Sequence, residues 1–209
     1  QVVEVGLGGR LDATNVVQSQ VAVITSISLD HEDILGHSLE KIAREKSGII
    51  KPDITVVMAP QENEAENVLN RACLDNQAKL IRIGTDVTWQ QKSFTLEGQS
   101  CSVVGRHSNY ELFIPLLGSY QLENAATAVA AIEALTDQGA KISYENLKQG
   151  LANVSWPGRL QVLGQRPWIV VDGAHNPYSI QKIREALVEY FAYKRLFIII
   201  GTSIDKNIA

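Results

Sequence analysis

Three short runs of this 209-residue chain carry residues able to do chemistry. The first, from Val2 to Asn15, sets the carboxylate of Glu4 among β-branched residues and follows it with Gly6, Gly8 and Gly9. Glu4 is expected near the carboxyl end of a buried strand. The glycines let the backbone turn sharply and approach a ligand. A charge at a strand end beside such a turn is where open α/β sheets bind ligands; the alternative is a tight turn in which Glu4 pairs with Arg10. The spacing is not the dinucleotide fingerprint, because Leu11 stands where its third glycine belongs. The second run follows the apolar stretch Val21–Ser28 with Asp30, His31 and Asp33. If the two strands are neighbours, Glu4, Asp12, Asp30, His31 and Asp33 converge. Such an acidic edge suits Mg²⁺, which takes oxygen ligands and shares its shell with substrate phosphates. His31 is a less usual partner for so hard an ion, and a surface or capping role is its plain alternative. The third run, Asp172-Gly173-Ala174-His175-Asn176-Pro177, puts an acid and a histidine at a strand-to-helix turn, where the plain alternative is capping by Asn176.

Two cations belong with these runs. Lys46 falls on the apolar stripe of a helix, either snorkelling with its stem in the core or drawn inward to react as a neutral amine. Arg159 is a candidate phosphate contact, since a guanidinium fork matches phosphate oxygens.

The elements that must position these groups alternate strand and helix. Val21–Ser28, Ile54–Ala59 and Lys79–Ile83 read as buried parallel strands. Between them, Ser38 caps a helix running to Ser47, with Leu39, Ile42, Ala43 and Lys46 inward and Gly48 as C-cap. A second helix spans Glu62–Asn76. From Asp86 to Pro115 short alternating runs broken by Gly98 and Gly105 read as antiparallel hairpins on one edge. Helices Leu122–Thr136 and Ser143–Asn153 follow. Pro157-Gly158 marks a linker, so the expected domains are 1–155 and 156–209. The second holds strands Leu160–Leu163, Trp168–Asp172 and Leu196–Ile200. Its helix starts at Asn176-Pro177 and buries Ile180, Ile183, Leu187, Tyr190 and Phe191.

Composition bounds the rest. The chain is 45% hydrophobic and 20% charged, ordinary for a globular protein with a real core. A net charge of −4 argues against general nucleic-acid affinity, and no run approaches the ~18 apolar residues of a membrane span. Cys73 and Cys101 lack metal or redox spacing, so reduced thiols and a cytoplasmic location are expected. Gln1 opens the chain and Met58 is its one methionine, so an internal stretch of a longer protein is expected.

Taken together, Glu4–Asn15, Thr25–His31, Leu35-Gly36 and Glu45–Lys51 closely resemble folylpolyglutamate synthase and the bifunctional dihydrofolate synthase, members of the Mur-ligase-like ATP-dependent amide ligases. Trp156–Leu160 and Asp172–Pro177 match the same family in order. The resemblance implies an α/β fold: a P-loop-type parallel-sheet ATP-binding domain with an antiparallel edge, then the start of a smaller Rossmann-like domain. It implies Glu4 and His31 as ligands of Mg²⁺ (two ions), and Lys46 as a carbamate-carrying lysine. Gln121, Asn124, Arg159 and Asp172 become ATP contacts, with His175 beside them at an interdomain cleft. Tyr120 stands where the family often has histidine. The implied reaction phosphorylates the carboxylate of a folate or dihydropteroate with ATP, and L-glutamate then displaces the phosphate. Such chemistry needs charge neutralisation and positioning more than a protein nucleophile. A monomer is expected. The alternatives are a Mur-type cell-wall ligase or a non-catalytic nucleotide-binding remnant. No Gly-Lys-Ser/Thr phosphate loop occurs in these 209 residues, so they are expected to be inactive alone.

Overall fold

A computed structural model describes residues 1–201. Its first layer is a parallel sheet of β1 (Val21–Ile24), β2 (Thr55–Met58) and β3 (Lys79–Arg82), in that order. Register runs from Val21 opposite Thr55 to Met58 opposite Arg82. Helix α1 (Glu32–Leu35) and α2 (Leu39–Ser47) follow β1, and α3 (Asn63–Asp75) joins β2 to β3. The α2 stripe is as the spacing predicts, with Ile42 and Ala43 fully buried. Together with Leu69 and Cys73 of α3 and Val56 of β2, they fill one core. Ser38 caps α2 by accepting from the Lys41 amide. Gly48 closes α2 in right-handed rather than left-handed geometry. Glycine is needed there for a close approach: a Cβ would lie 2.4 Å from Arg10 Cα.

The hairpins predicted for one edge instead form a separate antiparallel sheet, β4 (Thr88–Thr95), β5 (Gly98–Val104) and β6 (Asn109–Ile114). The α4 helix (Ser119–Asp137) packs against both sheets, touching β1 and β2 on one side and β4 and β5 on the other. Ala125, Ala126, Ala130 and Ala134 are buried in it, so small side chains bring the two layers close. α5 (Tyr144–Ala152) is held by a capping box between Ser143 and Asn146.

Beyond it, β7 (Gln161–Gln165) and β8 (Trp168–Val171) form an antiparallel pair, followed by α6 (Pro177–Tyr190). Asn176 and Pro177 start α6 as the sequence predicts, in a capping box with Ser179. Tyr190 and Phe191 are buried, and Ile183 and Leu187 pack beside them. Ile180 is 44% exposed, a correction to the expected stripe: it lies in the first turn of α6, whereas the apolar contacts involve the later turns. Three further expectations are corrected. Val2–Val5 forms no strand, and Leu196–Ile200 forms none. A strand exists only where its backbone groups find a ladder partner, and these segments have none among the described residues. The hairpin sheet stands apart for a related reason: between β3 and β4 the described residues form only the isolated bridge Ile83–Val87, outside both strands.

Candidate active site

The carboxyl end of β1 opens into a cavity of about 240 Å³ lined by Gly6–Gly8, Thr25–Ser28, Asp30, His31 and Lys46. The glycine turn therefore does approach the β1 end. It is held from within by Asp12, whose carboxylate accepts from Gly6 N (3.1 Å), Leu7 N (3.0 Å), Thr14 N (2.9 Å) and the Thr14 hydroxyl. These donors hold the Asp12 carboxyl down at about 2, the Thr14 hydroxyl contributing most. Asp12 thus shapes the turn and does not join an acidic cluster. Asp33 is exposed and absent from the cavity wall. Arg10 pairs with Glu45 (2.9 Å) rather than with Glu4. Glu4 is exposed, one residue before the lining residue Val5.

His31 precedes α1 in the left-handed region (φ 51°), uncommon for a residue with a side chain. Its amide is held by Asp30 Oδ1 at 2.8 Å. Lys46, half-buried on α2, has its ammonium pKa pulled down by burial, with the Asp30 charge pulling the other way.

Asp30 is the residue that residue-type reasoning placed in a metal cluster but did not single out. Its Oδ2 accepts from Asn176 Nδ2 at 2.9 Å and lies 3.3 Å from His175 Nε2. His175 Nδ1 bonds the Gly173 carbonyl (2.9 Å). One carboxylate therefore joins the His31 backbone to the turn before α6, with Lys46 close enough to feel its charge. The other half of that turn is organised by Asp172, which accepts from Leu160 N and Ala174 N at 2.7 Å each. Arg159 is exposed, sits over the Trp156 ring at 5.6 Å, and reaches toward Gly173. Tyr120, at the start of α4, is pushed up to about 12, first by burial and then by Asp172, with Arg159 opposing. Gln121 is buried and accepts from exposed Asn124 at 3.0 Å. Two groups emerge: Lys46, His31 and Asp30 on the cavity wall with His175 against Asp30, and Arg159, Asp172 and Tyr120 near the start of α4.

Among the described residues no three His, Cys, Asp or Glu side chains converge as a preformed metal cage. Mg²⁺ does not require one: it is commonly held by one or two protein groups, with phosphates and water completing its shell. Of the expected ligands, His31 lines the cavity and Glu4 stands one residue before its wall.

A parallel layer with ligand-type groups at its strand ends, linked by one carboxylate to a following hairpin–helix unit, defines a two-part α/β protein. The chain belongs to the Mur ligase family: the Mur ligase middle domain matches residues 2–132, and the Mur ligase glutamate ligase domain matches 158–208. Within it, the dihydrofolate synthase/folylpolyglutamate synthase of Bacillus subtilis (strain 168) is 36% identical over 98% of this chain and 48% of its own length. A solved folylpolyglutamate synthase complex with AMPPCP and folate is 34% identical with a TM-score of 0.87, covering 91% of this chain and 47% of that one. Mycobacterium tuberculosis folylpolyglutamate synthase complexed with ADP and AMPPCP is 35% identical with a TM-score of 0.84, covering 90% and 43%. The chain thus spans about half the length of the curated relatives it matches. No helix among the described residues is long and apolar enough to cross a membrane.

Proposed function

We propose that this chain forms part of an ATP- and magnesium-dependent ligase that joins L-glutamate to folate, to dihydropteroate, or to both, through an acyl phosphate. The observation that carries this reading is Asp30, which lines the cavity beside His31 and Lys46 and takes His175 and Asn176 from the second matched region. The nucleotide and folate complexes of the solved relatives support ATP and folate as its ligands.

In this reading residues 1–155 form the ATP-binding unit and 156–209 begin a second. Lys46 reacts with carbon dioxide as a neutral amine: the nitrogen lone pair bonds carbon, a proton leaves, and an ammonium becomes a carboxylate-like anion. Burial favours the neutral amine from which this starts. Glu4 and His31 are the metal ligands, and magnesium when bound neutralises phosphate charge. Gln121 and Asn124 meet the nucleotide at the start of α4. Arg159 supplies a fork for phosphate oxygens, and Asp172, whose oxygens retain acceptor capacity beyond two amides, takes ribose hydroxyls. His175 faces the cleft where the acyl phosphate and glutamate amine meet. The whole enzyme acts as a cytoplasmic monomer on small molecules, with neither nucleic acid nor membrane as partner.

The test uses the full-length gene product with ATP, glutamate and either dihydropteroate or tetrahydrofolate. Glutamate incorporation with at least one acceptor is expected. Lys46→Ala should abolish it and a short carboxylate should restore part. Full activity in Lys46→Ala, with none gained on adding the carboxylate, sinks the carbamate role. The 209 residues alone, which contain no Gly-Lys-Ser/Thr loop, should not turn over ATP.

A further inference from the structure

Gln99 is the most completely buried polar side chain of the described chain, at 0% exposure on β5, and all of its amide capacity is used. Its nitrogen donates to the Leu116 and Gly118 carbonyls, both at 2.8 Å. Its oxygen accepts from Gln91 Nε2 at 3.0 Å and from the Tyr190 hydroxyl at 2.9 Å. A glutamine amide offers two donors and one two-lone-pair acceptor, so nothing is left over. The four partners come from three places: β4, the segment leading into α4, and the last residue of α6.

That arrangement ties α6 to α4. Gly118 is the N-cap of α4 and its carbonyl also accepts from the Gln121 amide at 2.9 Å. Leu117 is buried between the same parts, packed in one small core with Leu160, Tyr190 and Phe191. The Tyr190 ring is fixed against Phe94 of β4, with centroids 4.6 Å apart. The opposite end of α6 is fixed through Asn176 and Asp30. A 14-residue helix is a stiff rod of roughly 21 Å at ~1.5 Å per residue. Displacing either end must move the other.

We propose that Gln99 and Tyr190 are positioning residues: a buried amide–phenol junction through which docking of α6 sets the first turn of α4, and with it the Gln121–Asn124 pair. The inference rests on the reading that Gln121 and Asn124 contact nucleotide. Neither Gln99 nor Tyr190 touches substrate in it. A network with every member satisfied fixes one geometry, whereas an apolar junction of equal size would permit sliding.

Tyr190→Phe keeps the ring and the Phe94 contact while removing one hydroxyl, so it should fold. In the full-length enzyme, amide exchange at residues 119–124 and AMPPCP affinity are measured for wild type, Tyr190→Phe and Asn124→Ala. The hydroxyl donates to Gln99 and also accepts from Gln91 Nε2 at 3.2 Å, so Tyr190→Phe should accelerate exchange in the first turn of α4 by at least about 3–10-fold, the range for losing one neutral hydrogen bond. It should weaken AMPPCP by a comparable factor, raising the KM for ATP more than it lowers kcat. Gln99→Leu should do the same more severely. Unchanged exchange at 119–124 in Tyr190→Phe overturns the proposal. So does faster exchange with unchanged affinity when Asn124→Ala does weaken AMPPCP. If Asn124→Ala leaves AMPPCP affinity intact, the nucleotide-contact reading fails instead, and the exchange result alone decides whether the junction positions α4.

Discussion

The Asp30 bridge makes a quantitative prediction. Asp30 is 21% exposed, and its Oδ2 takes the Asn176 amide at 2.9 Å with His175 at 3.3 Å. A hydrogen bond to a charged group nets about 1.5–3 kcal/mol, and partial exposure places this one toward the lower end, about 1.5–2 kcal/mol. Asp30→Ala should therefore speed local opening of residues 174–180 by about 10–30-fold, at 1.4 kcal/mol per decade. Asn176→Ala should cost more, by roughly 1 kcal/mol, because its side chain also caps α6 through the Ser179 amide at 2.8 Å. In a double-mutant cycle the coupling between Asp30 and Asn176 should be about 1.5–2 kcal/mol. Asn176→Asp separates the two roles: it keeps a good cap but replaces the donor with a charge facing Asp30, so the helix start persists while docking weakens. Native-state amide exchange resolved to α6 measures all four variants. Additive single effects, or unchanged exchange in Asp30→Ala, would refute the bridge as a docking contact.

Two other perturbations follow from buried or clustered polar groups. Glu133, 2% exposed on α4, accepts from the amides of Arg106 (2.8 Å) and His107 (3.0 Å) and from the Tyr110 hydroxyl (2.9 Å). Glu133→Leu orphans three donors and should cost about 3–6 kcal/mol, seen as a lower urea midpoint with unchanged slope. Tyr110→Phe should cost roughly half as much or less, and equal losses would contradict the accounting. The Asp12 carboxyl, held at about 2 against an ordinary 3.8, favours the folded turn when ionised. Its folded pKa is depressed, so that stabilisation is complete above the ordinary carboxylate range and vanishes as pH falls through about 2. The Gly6 and Leu7 amide shifts should titrate with a midpoint near that value and lose the transition in Asp12→Asn. A midpoint near 4 would show that the turn does not hold the carboxylate.

What the sequence by itself determined were the features whose physics is local. Ser38, Ser143 and Asn176 were readable as caps because each side chain bonds an amide only three positions on. The stripes of α2 and α3 follow from a side-chain period of 3.6, and β1, β2 and β3 from short apolar runs of the kind a covered parallel sheet buries. Family motifs brought the candidate site into view without its geometry. Only the tertiary structure decided which of those residues meet. Val2–Val5 has the composition of a strand, yet composition cannot supply the ladder partner a strand requires. Asp12 read as one more acid of a cluster until its donors, within six positions, proved to occupy it. Asp30 read only as one acid of a cluster and Gln99 gave no local signal, since the partners that give them their roles stand 146 and 91 positions away. Hydrogen bonds over such separations depend on how sheets and helices stack, and no period, cap or turn in a single segment encodes that stacking.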